Sequence, residues 1–243
     1  MDKKVAIITG GGTGIGRSTA LMLAERGVAC VVNYSRSKED AEKTVADIQA
    51  AGGYAVSFCA SVAEEKAVAE MVAATFERFG RIDYLVNNAG KTEFIPLEDL
   101  DAVKDEDWDS IFDVNIKGTF KVSRACAGEL KKTGGAIVNV SSIASRGAGS
   151  SIPYCVSKGG IDTLTRSLAK VLAPDVRVNA VAPGIVTTRW VAGKEDHIEK
   201  MSEGTPLKKV CGPDDVAQVI VSLLCQADLM TGQIVTIDGG LTM

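Results

Sequence analysis

Seven short apolar runs rich in valine and isoleucine punctuate the chain: Val5–Thr9, Ala29–Tyr34, Tyr54–Phe58, Ile82–Asn87, Ala136–Ser141, Val176–Val181 and Ile234–Ile237. Each is too short for a helix and nearly free of charge, as a strand covered on both faces should be. Between them, Ser18–Arg26, Glu39–Ala51, Val62–Phe79, Trp108–Lys131, Pro153–Leu172 and Asp214–Gln226 place apolar residues at i, i+3 and i+4, the spacing of a helix with one buried face. Strands alternating with helices of this length predict right-handed βαβ units, hence an α/β fold with a parallel sheet and helices on both sides. No repeat, low-complexity tract or linker divides residues 1–243, so one domain is expected. The stretch from about 187 to 209 breaks the alternation, being charged and irregular, and a long excursion of that kind is often a lid or binding loop.

Composition narrows the picture. The chain has 243 residues, 46% of them hydrophobic, enough for one substantial core. With 27 basic and 31 acidic residues the formal net charge is -4, which argues against a nucleic-acid partner bound through bulk charge. No run approaches the roughly 18 apolar residues of a membrane span, and no signal-peptide pattern precedes Gly10, so a cytoplasmic protein with no membrane partner is expected. Six scattered cysteines form no CxxC pair, and the single histidine, His197, lies in a charged stretch. Neither a disulfide framework nor a metal site is indicated.

The first apolar run leads straight into Gly10-Gly11-Gly12-Thr13-Gly14-Ile15-Gly16-Arg17, followed by a helical pattern. Glycines let the backbone approach a ligand closely, and the start of the next helix presents free N–H groups that favour a phosphate. Two related motifs fail here. No register of the loop supplies G-x-G-x-x-G, and the P-loop pattern from Gly11 to Ser18 carries Arg17 where a compact lysine is needed.

Thr9-Gly10-x-x-x-Gly14-Ile15-Gly16 does fit a known loop. It resembles the cofactor loop of the short-chain dehydrogenase/reductase family, in the branch that carries TGxxxGxG. The resemblance runs along nearly the whole chain: Asn87-Asn88-Ala89-Gly90 after the fourth strand, Asn115 in the long helical stretch, Ser142 after the fifth strand, Tyr154-x-x-x-Lys158 opening the next helix, and Pro183-Gly184 after the sixth strand. Within the family the chain looks most similar to 3-oxoacyl-(acyl-carrier-protein) reductases and glucose dehydrogenases. The resemblance implies a single-domain, Rossmann-type doubly wound fold with a seven-stranded parallel sheet. It also implies cofactor contacts from Gly10, Gly12, Thr13, Gly14, Ile15 and Gly16. Further contacts would come from Tyr34, Ser35 and Arg36, from Ser61 and Val62, from Asn88, Ala89 and Gly90, and from Pro183, Gly184, Val186 and Thr188.

The catalytic group is read in the same way. Tyr154 and Lys158 are four apart and share one helix face. A lysine cation nearby, with a nicotinamide ring that becomes positive on oxidation, would favour the phenolate and bring Tyr154 nearer the range useful for proton transfer. Pro153 suits a first helical turn, where a missing N–H costs little. The resemblance implies that Tyr154 gives the proton to the carbonyl oxygen and that Lys158 holds the nicotinamide ribose while tuning the tyrosine. Ser142 would polarise the carbonyl, and Asn115 would interrupt regular helix bonding and help carry a water chain to Lys158. The serine assignment has a competitor. Ser141 has the usual family spacing to the tyrosine, whereas Ser142 has the usual local context after Asn139-Val140-Ser141 and is favoured, with a loop one residue shorter.

No acidic residue occurs between Gly27 and Lys38, and the strand-two position where NAD-dependent relatives usually carry aspartate is Tyr34. Ser35 and Arg36 can donate to a 2′-phosphate, so NADP(H) is the expected cofactor and NAD(H) the alternative. Thr13, where many NADP-dependent members carry a basic residue, and Ser61, where the family usually has aspartate, depart from pattern. The expected activity is reversible reduction of a small-molecule or carrier-bound carbonyl, 3-oxoacyl reductase-like. A sugar or polyol dehydrogenase and a non-catalytic cofactor sensor are the alternatives. Ile152, Trp190 and Met201 are candidates for an apolar substrate pocket. Phe112, Phe120, Ile161 and Leu164 on the two long helices, with family precedent, point to a homotetramer.

Overall fold

In the computed structural model, residues 3–189 and 202–243 are described. The seven apolar runs are strands: β1 (Val5–Ile8), β2 (Ala29–Tyr34), β3 (Ala55–Cys59), β4 (Tyr84–Asn87), β5 (Ala136–Val140), β6 (Arg177–Pro183) and β7 (Ile234–Ile237). They form one sheet in the order β3-β2-β1-β4-β5-β6-β7, every neighbouring pair parallel. The chain runs outward from β1 to β3, then returns to β4 on the other side of β1. That reversal leaves a crevice at the carboxyl ends of β1 and β4, where open α/β sheets bind ligands.

The helices are α1 (Gly14–Glu25), α2 (Lys38–Ala50), α3 (Glu65–Phe79), α4 (Asp105–Phe112), α5 (Thr119–Thr133), α6 (Ile152–Leu172) and α7 (Pro213–Cys225). Alternation along each strand sends neighbouring residues to opposite faces. In β1, Ala6 and Ile8 join Leu23 of α1 and Ile220 of α7 on one face. Ile7 points the other way, to Met71 of α3, Leu130 of α5 and Leu168 of α6. Each fully buried leucine or isoleucine in these layers contributes roughly 1.5–3 kcal/mol.

Three boundaries differ from the periodic reading. α1 begins inside the glycine loop, at Gly14, because a helix starts where its N–H groups become free and not where its apolar stripe begins. α3 begins at Glu65, three residues after the apolar pattern does. The long helix foreseen over 108–131 is α4 and α5 joined through a turn of π-helix, Asp113–Gly118, with Asn115 inside it. Of the apolar residues singled out on these helices, Ile161 is 2% exposed and belongs to the chain's own core, while Phe120 is 41% exposed.

Buried amides brace the sheet beneath the crevice. Asn87 donates to Asn139 at 2.8 Å and to Ser123 at 3.0 Å, and Asn139 donates to Thr165 at 2.9 Å. These bonds tie β4 and β5 to α5 and α6, just behind the residues that follow those strands into the site. Among the described residues, no helix is long and apolar enough to cross a membrane.

Candidate active site

A cleft of about 990 Å³ lies along the carboxyl ends of β1, β2, β4, β5 and β6. Its volume is at the upper end of what ligand sites in proteins enclose. One end is the loop between β1 and α1. Gly10 and Gly14 adopt left-handed φ values of 61° and 51°, which favour glycine. The loop is locked from beneath: Asn88 donates to the carbonyls of Thr9 at 2.9 Å and Gly10 at 3.0 Å, and Thr9 Oγ1 accepts from the backbone of Asn88 and Ala89, both at 3.0 Å. Gly16 does not line the cleft. A Cβ on it would sit 2.4 Å from the Gly10 carbonyl oxygen and 2.6 Å from Asn88 Nδ2, so this glycine lets α1 close against its own loop.

Two helices open onto the cleft without a side-chain cap. Thr13 precedes α1 and Ser37 precedes α2, and neither side chain accepts from its helix. Both residues line the cleft. Free N–H groups and the positive ends of two helix dipoles therefore face it, an arrangement suited to phosphate. Tyr34, Ser35 and Arg36 follow β2 along the same wall. Across the mouth, Arg189 donates to Asp40 at 2.7 Å and to Thr13 Oγ1 at 3.2 Å. The residues present fit a dinucleotide: an open glycine turn, two uncapped helix starts and a basic rim.

The other end holds the titratable group. Ser151 caps α6 by accepting from the Tyr154 backbone N–H at 3.4 Å, with Pro153 in the first turn. Tyr154 and Lys158 thus lie one turn apart, with Lys158 Nζ 5.5 Å from the tyrosine ring centre. Tyr154 shares a side-chain hydrogen bond with Ser142. Ser142 also accepts from the Ala144 N–H at 3.1 Å and lies 3.5 Å from the Pro183 carbonyl. Ser141 is engaged elsewhere: its buried hydroxyl donates to Asp162 at 2.6 Å and approaches the Lys158 carbonyl at 3.2 Å, under α6. The spacing argument for Ser141 and the context argument for Ser142 thus meet two different geometries, and the serine beside the tyrosine is Ser142.

Burial moves the two titratable groups in opposite directions. It pushes the Tyr154 hydroxyl up to about 12, against the downward pull of Ser142. It lowers Lys158 to about 8, with Asp162 opposing. Desolvation governs the tyrosine, and Lys158 Nζ donates to the Val140 carbonyl, 2.8 Å away.

Asn115 does not line the cleft; it holds the wall in place. Its amide accepts from the Lys91 N–H at 2.8 Å and donates to the Lys91 carbonyl at 3.0 Å and to Ser157 Oγ at 2.9 Å. Ser157 in turn donates to the Tyr154 carbonyl at 2.7 Å. The π turn that carries Asn115 therefore connects the loop after Gly90 to the helix that carries the tyrosine.

The other expected contacts all border the cleft: Gly12, Ile15, Ser61, Val62, Ala89, Gly90, Pro183, Gly184, Val186 and Thr188. Ile152, foreseen as pocket lining, does not. Trp190, Met201 and His197, and most of the foreseen lid, lie outside the described residues. Arg189, in the foreseen lid stretch, lines the cleft, and sequence reasoning missed Ser37, Leu241 and Thr242, which line it too. Only Ser37 carried a legible signal, as a serine just before a helical pattern.

Fold and site together define a class: a doubly wound α/β oxidoreductase with a dinucleotide cleft that ends at a tyrosine. Comparison with known proteins narrows it. A family model described as enoyl-(acyl carrier protein) reductase matches residues 10–242. A Streptomyces violaceoruber protein named ketoacyl reductase 2 of the granaticin polyketide synthase is 44% identical, over 98% of this chain and 96% of its own. A 3-oxoacyl-(acyl-carrier-protein) reductase from Staphylococcus epidermidis is 37% identical, over 99% of both chains. The crystal structure of a short-chain dehydrogenase/reductase from Burkholderia xenovorans superposes with a TM-score of 0.94 at 35% identity, covering 99% of this chain and 98% of that one. The chain belongs to the short-chain dehydrogenase/reductase family, and its activity is that of an NAD(P)-dependent dehydrogenase/reductase.

Proposed function

We propose that the chain reduces a ketone to a secondary alcohol with NADPH, the ketone being a 3-oxoacyl thioester on a carrier protein. The observation that carries this reading is the hydrogen-bonded pair of Ser142 and Tyr154 at the inner end of a dinucleotide-sized cleft. The nicotinamide cofactor, when bound, supplies the hydride for the carbonyl carbon. Ser142 donates to the carbonyl oxygen and fixes its position. Tyr154 delivers a proton from its hydroxyl to that oxygen; with its pKa pushed up to about 12, it keeps this proton throughout the neutral range. Lys158, mostly charged at neutral pH, holds the ribose and stabilises the phenolate left behind. Asn115 positions α6 and the loop after Gly90. Gly10, Gly12, Thr13 and Gly14, with the start of α1, hold the pyrophosphate.

NADPH is favoured over NADH by the absence of a carboxylate at Tyr34 and by Arg36 on the same wall. The thioester is favoured by the reductase names of the relatives. A homotetramer is supported by the apolar side chains that the long helices expose: Phe120, Val156 and Val171. A cytoplasmic location is supported by six free cysteines. The test is steady-state kinetics with NADPH and NADH on acetoacetyl thioesters, sugars and aromatic ketones. A higher kcat/KM with NADH overturns the cofactor assignment, and a sugar preferred over the thioester overturns the substrate class. Tight NADPH binding without turnover on any of them overturns the enzyme reading in favour of a sensor.

A further inference from the structure

Leu241 and Thr242, beyond the last strand, form part of the wall of the cleft. After β7, Gly239 and Gly240 take left-handed φ values of 66° and 87° and turn the backbone back toward the site. A Cβ on Gly240 would meet Pro206 at 2.9 Å, so the turn is packed and leaves little room. Asp238 clamps it from within, accepting from the Gly240 N–H at 2.9 Å, the Thr242 N–H at 2.9 Å and Thr242 Oγ1 at 2.6 Å. Arg146 clamps it from outside. Its guanidinium donates to the Thr242 carbonyl at 3.1 Å, to Thr242 Oγ1, and to Thr236 Oγ1 at 3.0 Å.

Two contacts put this turn at the catalytic end. Arg146 ends the short 3-10 turn Ile143–Arg146 that Ser142 caps. A Cβ on Gly184, which follows β6 beside Ser142, would lie 3.0 Å from Asp238 Cβ. Leu241 and Thr242 then line the same cleft as Ser142 and Tyr154. Leu241 is half-buried and sits between two clamped residues, its own N–H bonded to the Asp238 carbonyl at 3.2 Å.

We propose that Leu241 is a specificity-determining residue, setting the size of the group on the carbonyl carbon that fits beside Ser142 and Tyr154, with Arg146 and Asp238 as positioning residues that hold it there. The inference rests on the carbonyl-reduction reading and refines its substrate class: ketones slender next to the carbonyl, such as an unbranched 3-oxoacyl group, are accepted, and α-branched ones are rejected.

The test compares wild type, Leu241→Ala and Arg146→Gln on an unbranched and an α-branched acetoacetyl thioester. The readouts are kcat/KM with NADPH and calorimetric Kd with NADP+ present. Removing methylenes from a pocket wall changes discrimination by roughly 10- to 200-fold per group. Leu241→Ala should therefore raise the branched-to-unbranched ratio at least about tenfold in both readouts. Arg146→Gln should move the ratio the same way and speed amide exchange at Gly240 and Thr242. A ratio within about twofold of wild type in Leu241→Ala overturns the size role. Unchanged exchange in Arg146→Gln overturns the clamp. If the wild type neither binds nor reduces either thioester, the thioester substrate class falls, and the size role that rests on it falls too; the exchange result, which needs no substrate, still decides the clamp.

Discussion

Lys158→Met should make the protein more stable while abolishing most of its activity. Lys158 is only 5% exposed, and burial lowers its pKa from an ordinary 10.5 to about 8. A tenfold weaker hold on the proton corresponds to about 1.4 kcal/mol, so keeping the cation inside costs the fold on the order of 3 kcal/mol at neutral pH. Methionine fills similar volume with no charge. It also removes the donor to the Val140 carbonyl, a bond worth about 1 kcal/mol net. The balance is a gain of about 1–2 kcal/mol, or roughly 2–8 °C in Tm for a chain of this size. The pH dependence has a definite sign. A lysine whose folded pKa is lowered binds fewer protons folded than unfolded between about 8 and 10.5, so its penalty is complete below about pH 8. The penalty fades as pH rises through that window. The assay is thermal unfolding of both proteins without nucleotide at pH 7 and pH 10. The variant should lead clearly at pH 7, with the lead gone or reversed at pH 10. A variant less stable at pH 7, or a difference that ignores pH, would mean that the buried cation is no burden to the fold.

Tyr154→Phe keeps the ring and loses the proton, so kcat for ketone reduction should fall roughly 100- to 10,000-fold while NADPH titration by fluorescence stays close to wild type; normal turnover would sink the proposed mechanism. Ser142→Ala should cost roughly 100-fold in kcat, as loss of a donor to a developing oxyanion does. Ser141→Ala should lower Tm through the abandoned Asp162 carboxylate and spare most of the rate, and the reverse pattern would exchange their roles. Gly16→Ala drives a methyl toward the Gly10 carbonyl and should destabilise by about 1–3 kcal/mol, read in a denaturant melt, with a parallel loss of nucleotide affinity.

The sheet was legible because its strands lie between two helical layers and read as nearly unbroken apolar runs; even β7, partly exposed at the edge, keeps Ile234 to Ile237 apolar apart from Thr236. The glycine loop and the tyrosine–lysine pair were legible because both are local, with spacings dictated by one turn and one helix face. What the sequence hid is set by contacts between distant positions. Arg189 meets Asp40 across 149 residues, and Arg146 meets Thr242 across 96, so neither partner marks the other in the chain. The helix interruption at Asn115 was legible through the family resemblance and is a π turn, whereas the amide's bonds to Lys91, a tertiary contact, were not. The upward displacement of the Tyr154 pKa escaped for a similar reason, since proximity to a lysine is visible in sequence and desolvation is not.

The two helix starts at Thr13 and Ser37 also tie the fold's durability to its ligand supply. Any protein gains stability from a ligand that binds only its folded state. This one leaves two sets of N–H groups facing its cleft, and a phosphate-bearing ligand that completes them binds the folded state alone. At one hundred times its dissociation constant such a ligand adds about 2.7 kcal/mol of stability. Nucleotide then acts as a structural component as well as a reagent: when it is scarce, the same chain opens more often and is more exposed to proteolysis, so the amount of enzyme follows the pool it draws on.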